Sequence, residues 1–474
     1  MNEADVYEAG FVQRREWMLY QVREDHYPFN VVMNHALGFF DHAVFQKVLD
    51  LLVEKHEILR TTLGVVDGSL KQFVHQPRHF RVKFRFYDIS AKSPADQECF
   101  MQEHDTMQRC LPFNFACGPM FRVLVFEKSP AQFSILLVFH HLVIDKTSMD
   151  IFMQDAISFY DLAAGASSRI TFDNQKQYRH YTAFENELIN TPLGDGHAAY
   201  WQANLTASLP RLLLVEKPKW DAFYNAHLKT VKEVRKKIFA LPFYDERFIG
   251  SVIRRYKTYN AGVLKYQYPE KTVELIRAFK RSSNNSLLSL FIASLLISLH
   301  ELCGQEVLAF DIPASSRING DYKEVIGWLT AGGACYFDVR EKGNLGDFLD
   351  YIDEKLFQLS RHCVFPFEIA GHDSAVPVGS LVPVFLTLMQ YKNDNPAGDQ
   401  PGRIFKQDRE YGSTNHTLDV YLHEYANAYT IDLIYNNFLL SPAAVEALVL
   451  QQERVLRRIT AEAISTNHLP LSLC

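Results

Sequence analysis

The segment from Phe133 to Gly165 allows few local structures. Phe133 to Phe139 is a β-rich run without Pro or Gly, ending in His140-His141, and Met120 to Phe126 is a second run of the same kind just before it. After Asp145, the stretch Thr147-Ser148-Met149-Asp150 offers a hydroxyl N-cap and an early acid. Ile151, Phe152, Ile157, Tyr160 and Leu162 then supply an amphipathic helix that ends near Gly165. A strand hairpin followed by a helix is implied, with two histidines and an aspartate at the junction.

The rest of the chain alternates in the same way. Ala43 to Lys55 has helical spacing, as do Asp347 to Ser360 and Pro442 to Ile459. Val307 to Ile312, Ala334 to Val339, Val384 to Gln390, Thr417 to Leu422 and Tyr429 to Tyr435 read as strands. The fold class expected is therefore α/β (α+β). A length of 474 residues exceeds what one hydrophobic core usually serves, so two lobes are expected. The polar stretch 167–176 starts the connection and the second lobe proper begins near Ala198, which gives domains of 1–180 and 181–474.

Several classes are excluded. At 47% hydrophobic and 22% charged residues the chain can bury a large core, which argues against disorder. The apolar stretch Ser286 to Leu299 is too short to span a bilayer and is interrupted by serines, so a buried helix is expected and no membrane association. The N-terminus is acidic and carries no leader pattern, which predicts a cytoplasmic protein. Seven scattered cysteines without a C-x-x-C pair indicate neither a zinc site nor a disulfide framework, so no metal is expected. Between Val215 and Arg281 there are 16 Lys/Arg against 7 Asp/Glu, while the whole chain carries −6. The cluster Lys229, Lys232, Arg235, Lys236 and Lys237 is either a solvated helix face or a docking surface for an acidic partner. Nucleic-acid binding is not expected of an acidic chain without a reader motif.

The chemistry lies in His140, His141 and Asp145. Successive side chains on a strand point to opposite faces, so the two imidazoles cannot share a role; one belongs to the core and the other to a different surface. Asp145, four residues past His141, can return beside the histidine strand and fix a ring tautomer or an arginine. A neutral imidazole with a pKa of about 6.5 is suited to take a proton from an attacking amine or hydroxyl.

These residues stand in a longer series. In chain order, Gln13 to Leu19, with Arg15 and Trp17, is similar to a Q-x-R-x-W motif, and Lys55 to Thr61 to R-H-E-x-L-R-T. Pro112 to Phe115 with Gly118-Pro119 and Arg122 precede the H-H-x-x-x-D run. Tyr178 to Phe184, Tyr200-Trp201, Ile326-Gly327-Trp328 and His362 to Glu368 follow it. Over nearly its whole length the chain resembles the condensation domains of nonribosomal peptide synthetases, within the chloramphenicol-acetyltransferase-like acyltransferases.

That resemblance implies two lobes in a V with a central substrate tunnel, entered from opposite sides by phosphopantetheine arms of acyl or peptidyl carrier proteins. No cofactor is bound by the chain itself. It assigns His141 as the base or amine-positioning residue and His140 as structural. Arg317 is the implied partner of Asp145, and Lys146, Ser148 and Trp328 fall on the tunnel. The implied reaction transfers an acyl group from a carrier thioester to an amine, or to a hydroxyl in an ester-forming variant. An acidic carrier would dock on Lys232, Arg235, Lys236 and Lys237. The chain reads as free-standing and monomeric.

Departures from the pattern are equally informative. The glycine that closes the histidine motif in the family is Lys146 here. It points to solvent or fills tunnel space, contacts an anionic part of a substrate, or marks a chain that has lost turnover and serves as a carrier-binding or gating module. The Asn-Thr pair expected after Ile326-Gly327 is missing from Trp328 to Cys335. Epimerisation domains place a Trp where Met149 stands, and heterocyclising domains replace the histidines by aspartate. Neither fits.

Overall fold

A computed structural model describes residues 4–23, 30–165, 176–204, 211–256, 259–317, 320–341, 343–370, 383–390, 404–406 and 413–465. The connection expected at 167–176 lies almost wholly outside them. The chain forms two compact units. The first comprises Met1–Asp195, Lys237–Glu246 and Ser316–Thr330, and the second Gly196–Lys236, Arg247–Ser315 and Ala331–Cys474. The sequence division at 180/181 has a single crossing, whereas the chain returns to the first unit twice, bringing Arg317 and Trp328 into the same unit as the histidines.

The first unit holds β1 (Ala4–Glu8), β2 (Asn30–Leu37), β3 (Thr61–Val66), β4 (Ser69–His75), β5 (Arg85–Asp88), β6 (Phe121–Ser129) and β7 (Gln132–His140). They form a three-stranded sheet, β1-β4-β3, and a four-stranded sheet, β2-β7-β6-β5. Its helices are α1 (Phe11–Val22), α2 (His42–Lys55), α3 (Pro94–Cys110), α4 (Lys146–Ala163) and α5 (Tyr178–Leu188). Every residue of β7 from Phe133 to His140 is buried. A strand paired on both sides and covered on both faces must be apolar throughout, which is why this run shows no polar alternation. It is antiparallel to β2, with Phe139 opposite Val31, and to β6, with Phe139 opposite Phe121. The hairpin and helix expected from residues 120–165 are the core of this unit.

The second unit holds β8 (Tyr259–Gln267), β9 (Val307–Ser315), most of β10 (Thr330–Asp338), β11 (Val384–Gln390), β12 (Ile404–Lys406), β13 (Ser413–Thr414), β14 (Leu418–Glu424) and β15 (Tyr429–Asn436). The sheet runs β10-β9-β11-β14-β15-β8-β12, with β13 also on β8. It is mixed: β11 is parallel to β9 and β14, while β15 is antiparallel to β14 and β8. The apolar helix expected near 286–299 runs from Leu287 to Cys303, capped by Ser286, and is buried all round from Leu287 through Leu299, apart from Leu288. Its Ser294 and Ser298 hydroxyls bond to carbonyls one turn back, so they cost the buried face little. Among the described residues no helix is long and apolar enough to cross a membrane.

Candidate active site

Asp145 is the N-cap of α4, its Oδ1 accepting from Ser148 N–H at 2.8 Å. The cap expected from Thr147-Ser148 is supplied by the aspartate instead, because a carboxylate both satisfies a free N–H and faces the positive end of the helix. Ser148 is turned to another task. Its hydroxyl donates to Gly327 O at 2.7 Å and accepts from Gly327 N–H at 3.0 Å and Arg317 Nη2 at 2.8 Å.

Arg317 closes on Asp145 with Nη1 to Oδ2 at 2.8 Å and Nη2 to Oδ1 at 3.0 Å, both side chains buried. Oδ2 also accepts from Leu329 N–H at 3.0 Å and Thr330 Oγ1 at 3.1 Å. Burial would raise the Asp145 carboxyl, but the charge and hydrogen bonds of Arg317, with those of Ser148, overcome it and hold it below the ordinary carboxylate range. No hydrogen bond among the described residues joins Asp145 to His141. The aspartate braces a loop and does not form a relay with the imidazole.

The two histidines part company where β7 ends. His140, its last residue, is fully buried, and its Nδ1 accepts from Leu142 N–H at 3.1 Å. Tyr20, Phe113 and Phe115 meet its ring edge-on at 5.4, 6.0 and 4.8 Å between centroids. His141 opens the short turn His141–Val143, is half-buried, and lies against the Trp328 indole with ring centroids 3.8 Å apart at 25°.

Trp328 is held by its own backbone. Gly327 beside it packs so closely that a Cβ would stand 2.1 Å from Tyr178 Cδ2, and Tyr178 Oη donates to Trp328 O at 3.2 Å. Lys55, the last residue of α2, and His56, which follows it, hold α4 further along its length, with Lys55 Nζ and His56 Nε2 each 2.7 Å from Asp155.

His140, His141, Asp145, Ser148, Arg317 and Trp328 are thus brought together in one unit. Lys146 is not among them: its Nζ pairs with both oxygens of Asp150 at 2.7 Å on the outer face of α4. Lys232, Arg235, Lys236 and Lys237 are exposed along the helix Lys217–Phe239, whose buried stripe is Phe223, His227, Thr230, Val234 and Ile238. Sequence reasoning did not single out Thr330 or Tyr178 as partners of this site. Both stand in or beside quoted motifs, but their pairing joins segments far apart in the chain.

The condensation-domain family model matches residues 3–243 and 251–468. The chain belongs to the condensation-domain family. Tyrocidine synthase 3 of Brevibacillus parabrevis is 22% identical over 465 residues, covering 97% of this chain and 6% of that protein. The chain therefore spans a small part of such a relative. Among solved structures, the condensation domain that mediates chain release from the enacyloxin polyketide synthase superposes with a TM-score of 0.72 at 15% identity, over 99% of this chain and 86% of that one. The epimerization domain from the third module of tyrocidine synthetase B gives 0.72 at 15% identity, over 98% and 100%. The mixed α/β fold read from the sequence is the fold of these condensation-family structures.

Proposed function

We propose that this condensation-family chain transfers an acyl group from a carrier-protein thioester to an amine, forming an amide in nonribosomal peptide or hybrid polyketide biosynthesis. The observation that carries the reading is His141, a half-buried imidazole at the end of a rigid buried strand, beside an intact Asp145–Arg317 brace. Neutral His141 takes a proton from the amine as its nitrogen attacks the thioester carbonyl carbon. The C–N bond forms, the C–S bond breaks, and the proton passes to the departing phosphopantetheine thiolate. His140 supports the strand end from its aromatic cage. The acyl donor arrives on its phosphopantetheine arm, and the chain itself holds no cofactor.

The fold does not separate condensation from epimerisation, since structures of both kinds superpose equally well. Met149, at the position where epimerisation domains resemble one another in carrying Trp, favours condensation. The Lys146–Asp150 pair lies on an exposed helix face, which gives no physical reason for lost turnover. A hydroxyl acceptor would pass through the same steps to an ester.

Acylated carrier proteins incubated with a panel of amines and alcohols, followed by intact mass, test the reading. Transfer to an amine by the wild type, with a loss of about 100-fold or more in His141→Ala, is expected. Equal rates in both proteins would overturn the imidazole mechanism. Carrier binding without turnover in either would leave a gating module.

A further inference from the structure

The geometry points to Trp328 as the positioning residue through which Asp145, Ser148 and Arg317 act on the His141 imidazole; this inference rests on the acyltransferase reading. The peptides on both sides of Trp328 are bound to the first turn of α4. Gly327 exchanges two hydrogen bonds with the Ser148 hydroxyl, and Leu329 N–H donates to Asp145 Oδ2. Between these anchors Trp328 is 7% exposed, and its indole lies face to face with His141. Arg15 of α1 stands over the same indole, its Cζ 5.9 Å from the ring centroid, with its Nε on Glu16 at 2.9 Å. The brace therefore reaches the imidazole by way of an aromatic surface.

A stacked face suits this task for a physical reason. The imidazole lone pair and N–H lie in the ring plane, so an indole against the face leaves both nitrogens their in-plane directions. It removes rotation about the Cβ–Cγ bond, the motion that would swing a nitrogen away from the attacking amine. Proton transfer is steep in this geometry, so a fixed ring plane acts on kcat. The indole face also favours the imidazolium formed in the transition state, as aromatic faces favour cations. A residue that merely walled the substrate would act on KM.

Two variants separate these roles: Trp328→Phe keeps an aromatic face, and Trp328→Leu fills space without one. The stack itself is read by the ring-proton shifts of His141 in isotope-labelled protein, assigned with His141→Ala. A ring-current shift is expected in the wild type and in the Phe variant and should be lost in the Leu variant. In the intact-mass assay, Trp328→Leu should lose about 10- to 100-fold in kcat with KM within about 3-fold, and Trp328→Phe should recover most of it. An unshifted wild-type His141, an unchanged kcat in the Leu variant, a loss confined to KM, or no recovery by Phe would each overturn the inference while leaving the acyltransferase reading in place. A wild type that transfers no acyl group overturns that reading, and the inference with it.

Discussion

Arg317 meets Asp145 in a buried two-point contact, Nη1 to Oδ2 at 2.8 Å and Nη2 to Oδ1 at 3.0 Å. Two ions out of water offset their desolvation only when geometry and further hydrogen bonds are complete, and here every remaining acceptor site on Asp145 is used by Ser148, Leu329 or Thr330. Removing one partner leaves a buried charge alone. Arg317→Ala should therefore cost about 3–5 kcal/mol in urea unfolding. Adding Asp145→Ala to it should cost much less than the sum of the two single changes. Additive losses would show that the two side chains are not coupled. The Asp145 carboxyl is held low in the fold, so its contribution is present above the ordinary carboxylate pKa and is lost as pH falls through the folded value.

Glu185 behaves in the opposite sense. Burial pushes its carboxyl from 4.5 up to about 7, against the lowering effect of hydrogen bonds from Tyr181 and the Phe11 N–H. From α5 its carboxylate reaches the start of α1, where a Cβ on Gly10 would stand 2.6 Å from Glu185 Oε2. A raised acid pKa means that the folded state binds the proton more tightly. Its contribution is full below 4.5 and is lost as pH rises through about 7. Glu185→Gln keeps the shape and a carbonyl acceptor without the ionisation. The variant should gain stability relative to the wild type as pH rises from about 5 to 8, by on the order of a few kcal/mol, read as a growing Tm difference. A pH-independent difference would exclude Glu185 as the titrating group.

The core of the site was legible in sequence because it is local: an apolar strand, a turn and a capped helix within residues 133–163. The strand Val384–Gln390 was likewise readable, since an uninterrupted β-rich run is its own evidence. What escaped depends on contacts between distant segments. β1 carries no alternation, its residues being mostly exposed or half-exposed, and is a strand only because β4 offers it a partner. Local rules rank Ser, Thr and Asp together as caps, so they cannot choose among Asp145, Thr147 and Ser148 at the start of α4. Only the second bond of Ser148, to Gly327, decides which of them caps. The stack of Trp328 on His141 left no local pattern at all.

Lys146 occupies the position that holds glycine in the family pattern, yet its ammonium is engaged with Asp150 one turn along α4. Both side chains are substantially exposed, 40% and 69%, so solvent screening leaves the pair worth about 0.3–0.5 kcal/mol at most. Lys146→Ala should change stability by no more than that and acyl transfer by less than about 3-fold. A loss of 10-fold or more in transfer would place the ammonium on the substrate.

The helix Lys217–Phe239 presents Lys232, Arg235, Lys236 and Lys237 to solvent while burying Val234 and Ile238. Charges on such a face add little to the fold, so neutralising them should leave the melting temperature nearly unchanged. An acidic carrier protein approaching that face would be steered by the four charges, and steering fails when counterions screen it at separations beyond about 8–10 Å. Changing all four to Gln should weaken carrier association about 10-fold or more at low ionic strength. The difference from the wild type should shrink as salt is raised, measured by calorimetry or surface binding. Equal affinities at low salt would assign the cluster to a solvated helix face and place carrier docking elsewhere on the molecule.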